Sequence, residues 1–256
     1  MTTPIKDVWF IIVSVIWTLC SAMCVKIETA TVKGGFMKHG YRCLMAVGLF
    51  AVTMAFLESA VVIYLRALYG IEDLLRDISL TPDRFSTVEL GREMSTLIML
   101  ALIGWIAGRR VQDRIGYAAF AFGLWDIFYY VWLFVLIGWP ETLLDWDLLF
   151  LIPLPWWGPV LSPVLISLVM ITGGSLAVLR AERGADLRFT IDGWCAAGGG
   201  IMLALYIFMS DALHTLPGGM EAVRSVRPTT FNWPLFLIAL AGMVWFLLRA
   251  LRQPSR

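Results

Sequence analysis

The stretch IGYAAFAFGLWDIFYYVWLFVLIGW, Ile115 to Trp139, decides the fold: it runs for 25 residues, is almost wholly apolar, and carries one charge, Asp126. At about 1.5 Å per residue, an α-helix needs roughly 20 apolar residues to cross a hydrocarbon core about 30 Å thick. The stretch is long enough, and its twelfth residue, Asp126, falls near the middle. A carboxylate there costs roughly 2.5 to 3.5 kcal/mol on insertion scales, so a chain that keeps one has a partner or a use for it.

The remainder of the chain reads the same way. Of its 256 residues 59% are hydrophobic and only 15% charged, against about a quarter charged in soluble domains. We expect an all-α, polytopic transmembrane bundle of about seven spans: Val8 to Val25, Cys43 to Leu65, Glu89 to Gly108, Ile115 to Gly138, Pro159 to Leu179, Ile191 to Leu213 and Trp233 to Leu248. No Gly/Ser linker, low-complexity tract or internal repeat divides it, so residues 1–256 read as one membrane domain. The missing repeat lowers the case for a two-fold secondary transporter.

Basic residues orient the bundle. Loops one, three and five and the C-terminal tail hold thirteen Lys and Arg, whereas the N-terminus and loops two, four and six hold six. The N-terminus is therefore expected outside and the C-terminus in the cytoplasm. A cleaved signal peptide, with Lys6 before the apolar run and Ser21 and Ala22 near a cut, is the rival reading of the first span. It would leave Lys26, Lys33, Lys38 and Arg42 on the translocated side, against the bias of every later loop.

The net charge of +1 and the lack of a basic run leave no role for nucleic acid. The expected partners are membrane lipid and, in the alternative reading below, other membrane subunits. Cys20, Cys24, Cys43 and Cys195 all fall in or beside spans and read as small packing residues, not as a disulfide framework. Retinal is excluded, because all four lysines lie at or before Lys38. Paired-histidine haem ligation fails too, with His39 and His214 at opposite ends. The residues name no cofactor. Gly198, Gly199 and Gly200 read as a helix-packing stripe.

Between Trp139 and Pro163 the chain sets Pro140, Pro153, Pro155, Pro159 and Pro163 among Trp139, Trp146, Trp156 and Trp157. Proline lacks a backbone donor and clashes with the preceding turn, so one regular helix is impossible there. Tryptophan favours the headgroup level. The segment is expected as an interfacial elbow, or as a lid over a cavity. The loop from Arg66 to Val88 is expected to hold a short surface helix ending near Pro82.

With that topology the ionisable residues of the spans gather in the outer half. Glu58 lies near the outer end of span two; Glu89, Arg92 and Glu93 occupy the first turns of span three; Tyr129 and Tyr130 follow Asp126 by three and four residues on one face. Asp211 and His214 close the outer end of span six. One reading is an ion-pair network of Glu58, Glu93, Asp126, Arg66 and Arg92 that pins spans two to four, specifying packing more than adding stability. Another is a metal site, with Glu89, Asp211 and His214 as further ligand candidates, since carboxylates and an imidazole suit iron or manganese. A third is acid/base chemistry on an amphipathic substrate. A proton path would need a relay in the inner half, which has none.

From Phe56 to Val164 the chain resembles a family of bacterial polytopic membrane proteins without a known activity. The stretches carrying the resemblance are FLESAVVIYLR at Phe56 to Arg66, ELGREMSTLIML at Glu89 to Leu100, GLWDIFYYVWL at Gly123 to Leu133, and DLLFLIPLPWWGPVLSP at Asp147 to Pro163. It implies a multi-pass protein of a bacterial inner membrane. The leading expectation is an outward-facing pocket that binds or processes a small or lipid-like ligand. Glu58, Glu93 and Asp126 would be its catalytic or ligand groups, Arg66 and Arg92 an anion clamp, and Tyr129, Tyr130 and Trp156 its binding wall. The alternatives are a non-catalytic subunit of a larger membrane complex and a metal-binding membrane protein.

Overall fold

The computed structural model describes residues 37–71, 84–151, 153–185, 187, 190–228 and 230–252. The expected first span, its signal-peptide alternative, Cys20, Cys24 and the expected surface helix before Pro82 lie outside the described residues. Within them the chain is α-helical apart from one short β-hairpin. In order come α1 (Met37–Tyr69), α2 (Arg84–Ala107), α3 (Val111–Ile137), β1 (Trp146–Phe150), β2 (Trp156–Pro159), α4 (Leu161–Glu182), α5 (Ile191–Thr215), a 3-10 turn (Leu216–Gly218), α6 (Met220–Arg224) and α7 (Trp233–Arg252). Six of these helices, all but the five-residue α6, are long and apolar enough to cross a membrane. The protein is a multi-pass membrane protein, and these six match the second to seventh expected spans.

Most of the helices overrun the expected spans by a turn or so. α1, for example, starts at Met37, ahead of Cys43, and runs to Tyr69. Apolar counting stops at the first polar residue, whereas a helix continues as long as its backbone bonds are met. What stops α3 is local chemistry. At its start the Asp113 carboxylate accepts from the Arg109 and Arg110 backbone N–H groups at 2.9 and 2.5 Å, placing an anion where the helix dipole favours one. At its end Gly138 takes φ 72° and donates its N–H to the Phe134 carbonyl, a left-handed cap open to glycine at little cost.

The proline-rich segment is neither helix nor plain loop. Asp145 gathers the backbone N–H groups of Glu141 and Thr142 at 2.7 and 3.1 Å and the Thr142 hydroxyl at 2.6 Å. The chain then turns into β1, which pairs antiparallel with β2, Asp147 opposite Gly158 and Leu148 opposite Trp157, with an irregularity between Leu148 and Phe150. Pro153 and Pro155 fall between the strands, where no ladder bond is lost.

Lipid tails are as apolar as leucine, so helices in a bilayer are held by close packing more than by the hydrophobic effect. The tight seams accordingly sit at glycines. A Cβ on Gly123 of α3 would stand 2.6 Å from the Ser167 carbonyl oxygen of α4, and one on Gly174 of α4 would collide with the Gly116 carbonyl. On the other side of the molecule a Cβ on Gly200 of α5 would lie 2.5 Å from the Ala239 carbonyl of α7. Of the expected glycine stripe Gly200 alone makes such a contact; Gly198 and Gly199 face open space.

Two bodies result. α3 packs on α1, α2 and α4, and α5 packs on α7, while α4 and α5, though consecutive, barely touch. The hairpin bridges the two. Phe150 packs into the α1–α4 core, Leu149 and Trp156 into the α5–α7 core, and Trp157, 1% exposed, joins Ala212, Val223 and Val226. Helix directions alternate, so the hairpin shares its end of the bundle with the C-termini of α1, α3 and α5 and the N-termini of α2, α4 and α7.

Candidate functional site

A cavity of about 1350 Å³ runs between the two bodies, from the hairpin end to Arg110, Gln112 and Leu187 at the opposite end. Its hairpin end is polar. Glu58 and Arg66 come from α1, two turns apart on one face; Glu89, Arg92, Glu93 and Thr96 from α2; Asp126, Tyr129 and Tyr130 from α3; Asp147 and Trp156 from the hairpin; Ser167 from α4. Farther in, α3, α4, α5 and α7 supply an apolar wall that includes Phe122, Met170, Ile201, Leu205 and Phe246.

Arg92 organises the α1–α2 side. Its guanidinium pairs with both oxygens of Glu89 one turn earlier and with Glu58 across the seam, while the Thr96 hydroxyl donates to the second Glu58 oxygen at 3.2 Å. Arg92 is therefore already occupied. Arg66 is not clamped in this way: its guanidinium lies 4.2 Å over the Trp139 ring, and its buried Nε has no hydrogen-bond partner. Glu93 faces the Leu151 backbone amide, yet its buried Oε2 has no partner. The indole N–H groups of Trp125 and Trp156, both lining residues, are likewise buried and unpaired.

Asp126 does not meet an arginine, contrary to the ion-pair network expected from sequence. Its Oδ2 accepts from the Ser167 hydroxyl of α4 at 2.8 Å. Asp126 stands one turn, about 4.5 Å at 1.5 Å per residue, deeper along α3 than Tyr129, which both guanidiniums face. Ser59, wholly buried on α1, donates to the Tyr129 carbonyl at 3.0 Å and fixes that turn of α3 against α1.

Asp147 was missed by the sequence reading. It is 3% exposed, accepts from the Tyr130 hydroxyl at 3.1 Å, and faces Arg66. Burial pushes its carboxyl up to about 6 against the opposing pull of Arg66 and the Tyr130 hydrogen bond. Asp147 opens the apolar run LLFLIP, but Asp145 stands two residues before it, so it lacks the isolation that singled out Asp126. Ser167 carried no comparable signal, since a hydroxyl on an apolar helix usually bonds its own backbone.

All the residues expected as catalytic or binding line this one cavity, as does Glu89; Asp211 and His214 do not. Among the described residues no group of three or more His, Cys, Asp or Glu side chains is placed to hold a metal ion. The hairpin end thus offers two guanidiniums, one of them engaged, five carboxylates, two phenols and two indoles. That set can bind a polar group, accept or supply protons through Asp147, and leave an apolar tail among the helices. No protein-family model, curated protein or solved structure matches the chain.

Proposed function

We propose that this protein binds or processes a small or lipid-like ligand in the cavity between its two bodies. The observation that carries the reading is the cavity's polarity: one continuous space joins a chamber of carboxylates, guanidiniums and phenols to an apolar wall. A ligand with a polar head and an apolar tail matches both ends. By the asymmetry of Lys and Arg, the hairpin end faces outside, and the resemblance to bacterial polytopic proteins supports a bacterial inner membrane. Glu93, Asp126 and Asp147 serve as acid/base or ligand groups. Arg66 supplies the available cation, Tyr129 and Tyr130 donate hydrogen bonds, and Arg92 holds Glu58 and Glu89 in place.

The test is mass analysis of small molecules that co-purify with the full chain in mild detergent. A defined ligand near one per chain in the natural protein should fall about tenfold in Glu93→Gln, the size of one lost charge-assisted hydrogen bond. Circular dichroism of the variant should be unchanged. An identical ligand load in Glu93→Gln and Asp126→Asn, both folded, sinks the reading and leaves the cluster as packing alone.

A further inference from the structure

We propose that the occupant is a zwitterionic phospholipid bearing a primary amine, of the phosphatidylethanolamine type. Its headgroup sits at the hairpin end and its acyl chains in the seam between α4 and the α5–α7 pair. This rests on the ligand-binding reading above and names the chemical class of the ligand.

The unpaired groups of the chamber define the headgroup. Arg66 sets its guanidinium over the Trp139 ring at 4.2 Å, and its buried Nε–H, which has no partner, would receive an anion. A planar fork of donors suits a phosphate. Glu93 Oε2 is the reverse case, a buried acceptor without a donor. A primary ammonium supplies N–H groups to it; a quaternary choline has none, and a glycerol headgroup brings no positive charge. Charge balance agrees. Glu58, Glu89, Glu93, Asp126 and Asp147 face Arg66 and Arg92 around one chamber, so a headgroup that adds only negative charge meets a carboxylate excess. The unpaired indole N–H groups of Trp125 and Trp156 match ester carbonyls, which follow the phosphate toward the chains.

The seam fits the rest of the molecule. α4 and α5 barely touch along their length, and the wall between them is formed by small or apolar residues such as Gly173, Ala197, Ile201 and Leu205. A space that joins a charged chamber to an apolar slot between loosely packed helices admits a lipid sideways, without lifting its chains through water.

The experiment is native mass spectrometry of the delipidated full chain, titrated in mild detergent with dioleoyl phosphatidylethanolamine, phosphatidylcholine or phosphatidylglycerol. We expect phosphatidylethanolamine to bind at about tenfold lower concentration than either of the others, the worth of one hydrogen bond to a charged group. Glu93→Gln should erase its advantage over phosphatidylcholine. Ile201→Trp, at a half-exposed lining position, should weaken all three lipids while keeping their order. Equal or tighter binding of phosphatidylcholine or phosphatidylglycerol overturns the headgroup assignment and leaves the ligand-binding reading standing. Should none of the three lipids bind while an unrelated small molecule co-purifies, the lipid assignment falls alone; when nothing binds at all, both fall.

Discussion

Two consecutive helix pairs of this protein, α3–α4 and α4–α5, share the same antiparallel arrangement and a largely apolar sequence, yet one closes and the other stays open. Between α3 and α4, glycines meet backbone carbonyls and Ser167 reaches Asp126. Between α4 and α5 the facing residues leave a cavity. The adjacent pair Gly173 and Gly174 carries the contrast within one helix. Gly174 lies against the α3 backbone, whereas a Cβ on Gly173 would meet only the end of the Leu247 side chain, at 3.3 Å. In a bilayer, apolar character alone does not draw helices together; matched small residues and a polar cross-link do.

The sharpest way to break this contrast is to give both glycines the same larger side chain. Gly174→Leu should cost about 3 kcal/mol or prevent folding, because its Cβ strikes backbone that cannot give way. Gly173→Leu should stay folded and shrink the cavity. Thermal melts in detergent compare the two, and equal losses would show that α4 packs as tightly toward Leu247 of α7 as it does against α3. Removal of the Arg92 clamp comes next. Arg92→Gln strands Glu58 and Glu89 among helices and should destabilise the fold by about 2 kcal/mol, less than a fully buried pair because its groups are partly exposed.

The hairpin spans both seams, and its buried Asp147 ties them to pH. Tyr129, Tyr130, Asp126 and Arg66 all face it. Its carboxyl titrates at about 6 in the fold against 3.8 when unperturbed. The fold therefore favours the protonated form. The stability due to that proton is fully present below about pH 4 and is lost as the pH rises through 6. Asp147→Asn, which keeps an acceptor for Tyr130, should then be more stable than the natural protein above pH 6, by on the order of 2 kcal/mol. The gap should close toward pH 4. A stability difference independent of pH would mean that Asp147 is not the titrating group. The smallest effect belongs to the cross-link: Ser167→Ala should cost about 1 kcal/mol in the same melts, the worth of one hydrogen bond.

Much of the architecture was legible because membrane helices announce themselves by length. The six described spans lie where apolar counting puts them, and the errors are at the ends, where polar turns such as Met37 to Arg42 extend the helix. The hairpin was legible only as a break. Apolar runs of four or five residues with prolines nearby carry no period that separates strand from irregular chain. The cavity-lining set was legible because charge is rare in this composition, so Glu58, Arg66, Arg92, Glu93 and Asp126 stood out one by one. Their pairing was not. Spacing along one helix ranks neighbours on that helix, but says nothing about which turn of another helix arrives opposite, so Asp126 was matched with an arginine and not with Ser167.

Asp126 and Ser167 are 41 residues apart in the chain, and synthesis runs in one direction. When α3 is complete, the partner of its carboxylate has not yet been translated. α3 gains by waiting for α4 and entering the membrane with it as one helical pair, its carboxyl already holding the Ser167 hydrogen bond. Nascent chains halted just before Ser167 should therefore be extracted from membranes by alkali more readily than chains halted after Glu182. Equal extraction at both lengths would show that α3 enters alone.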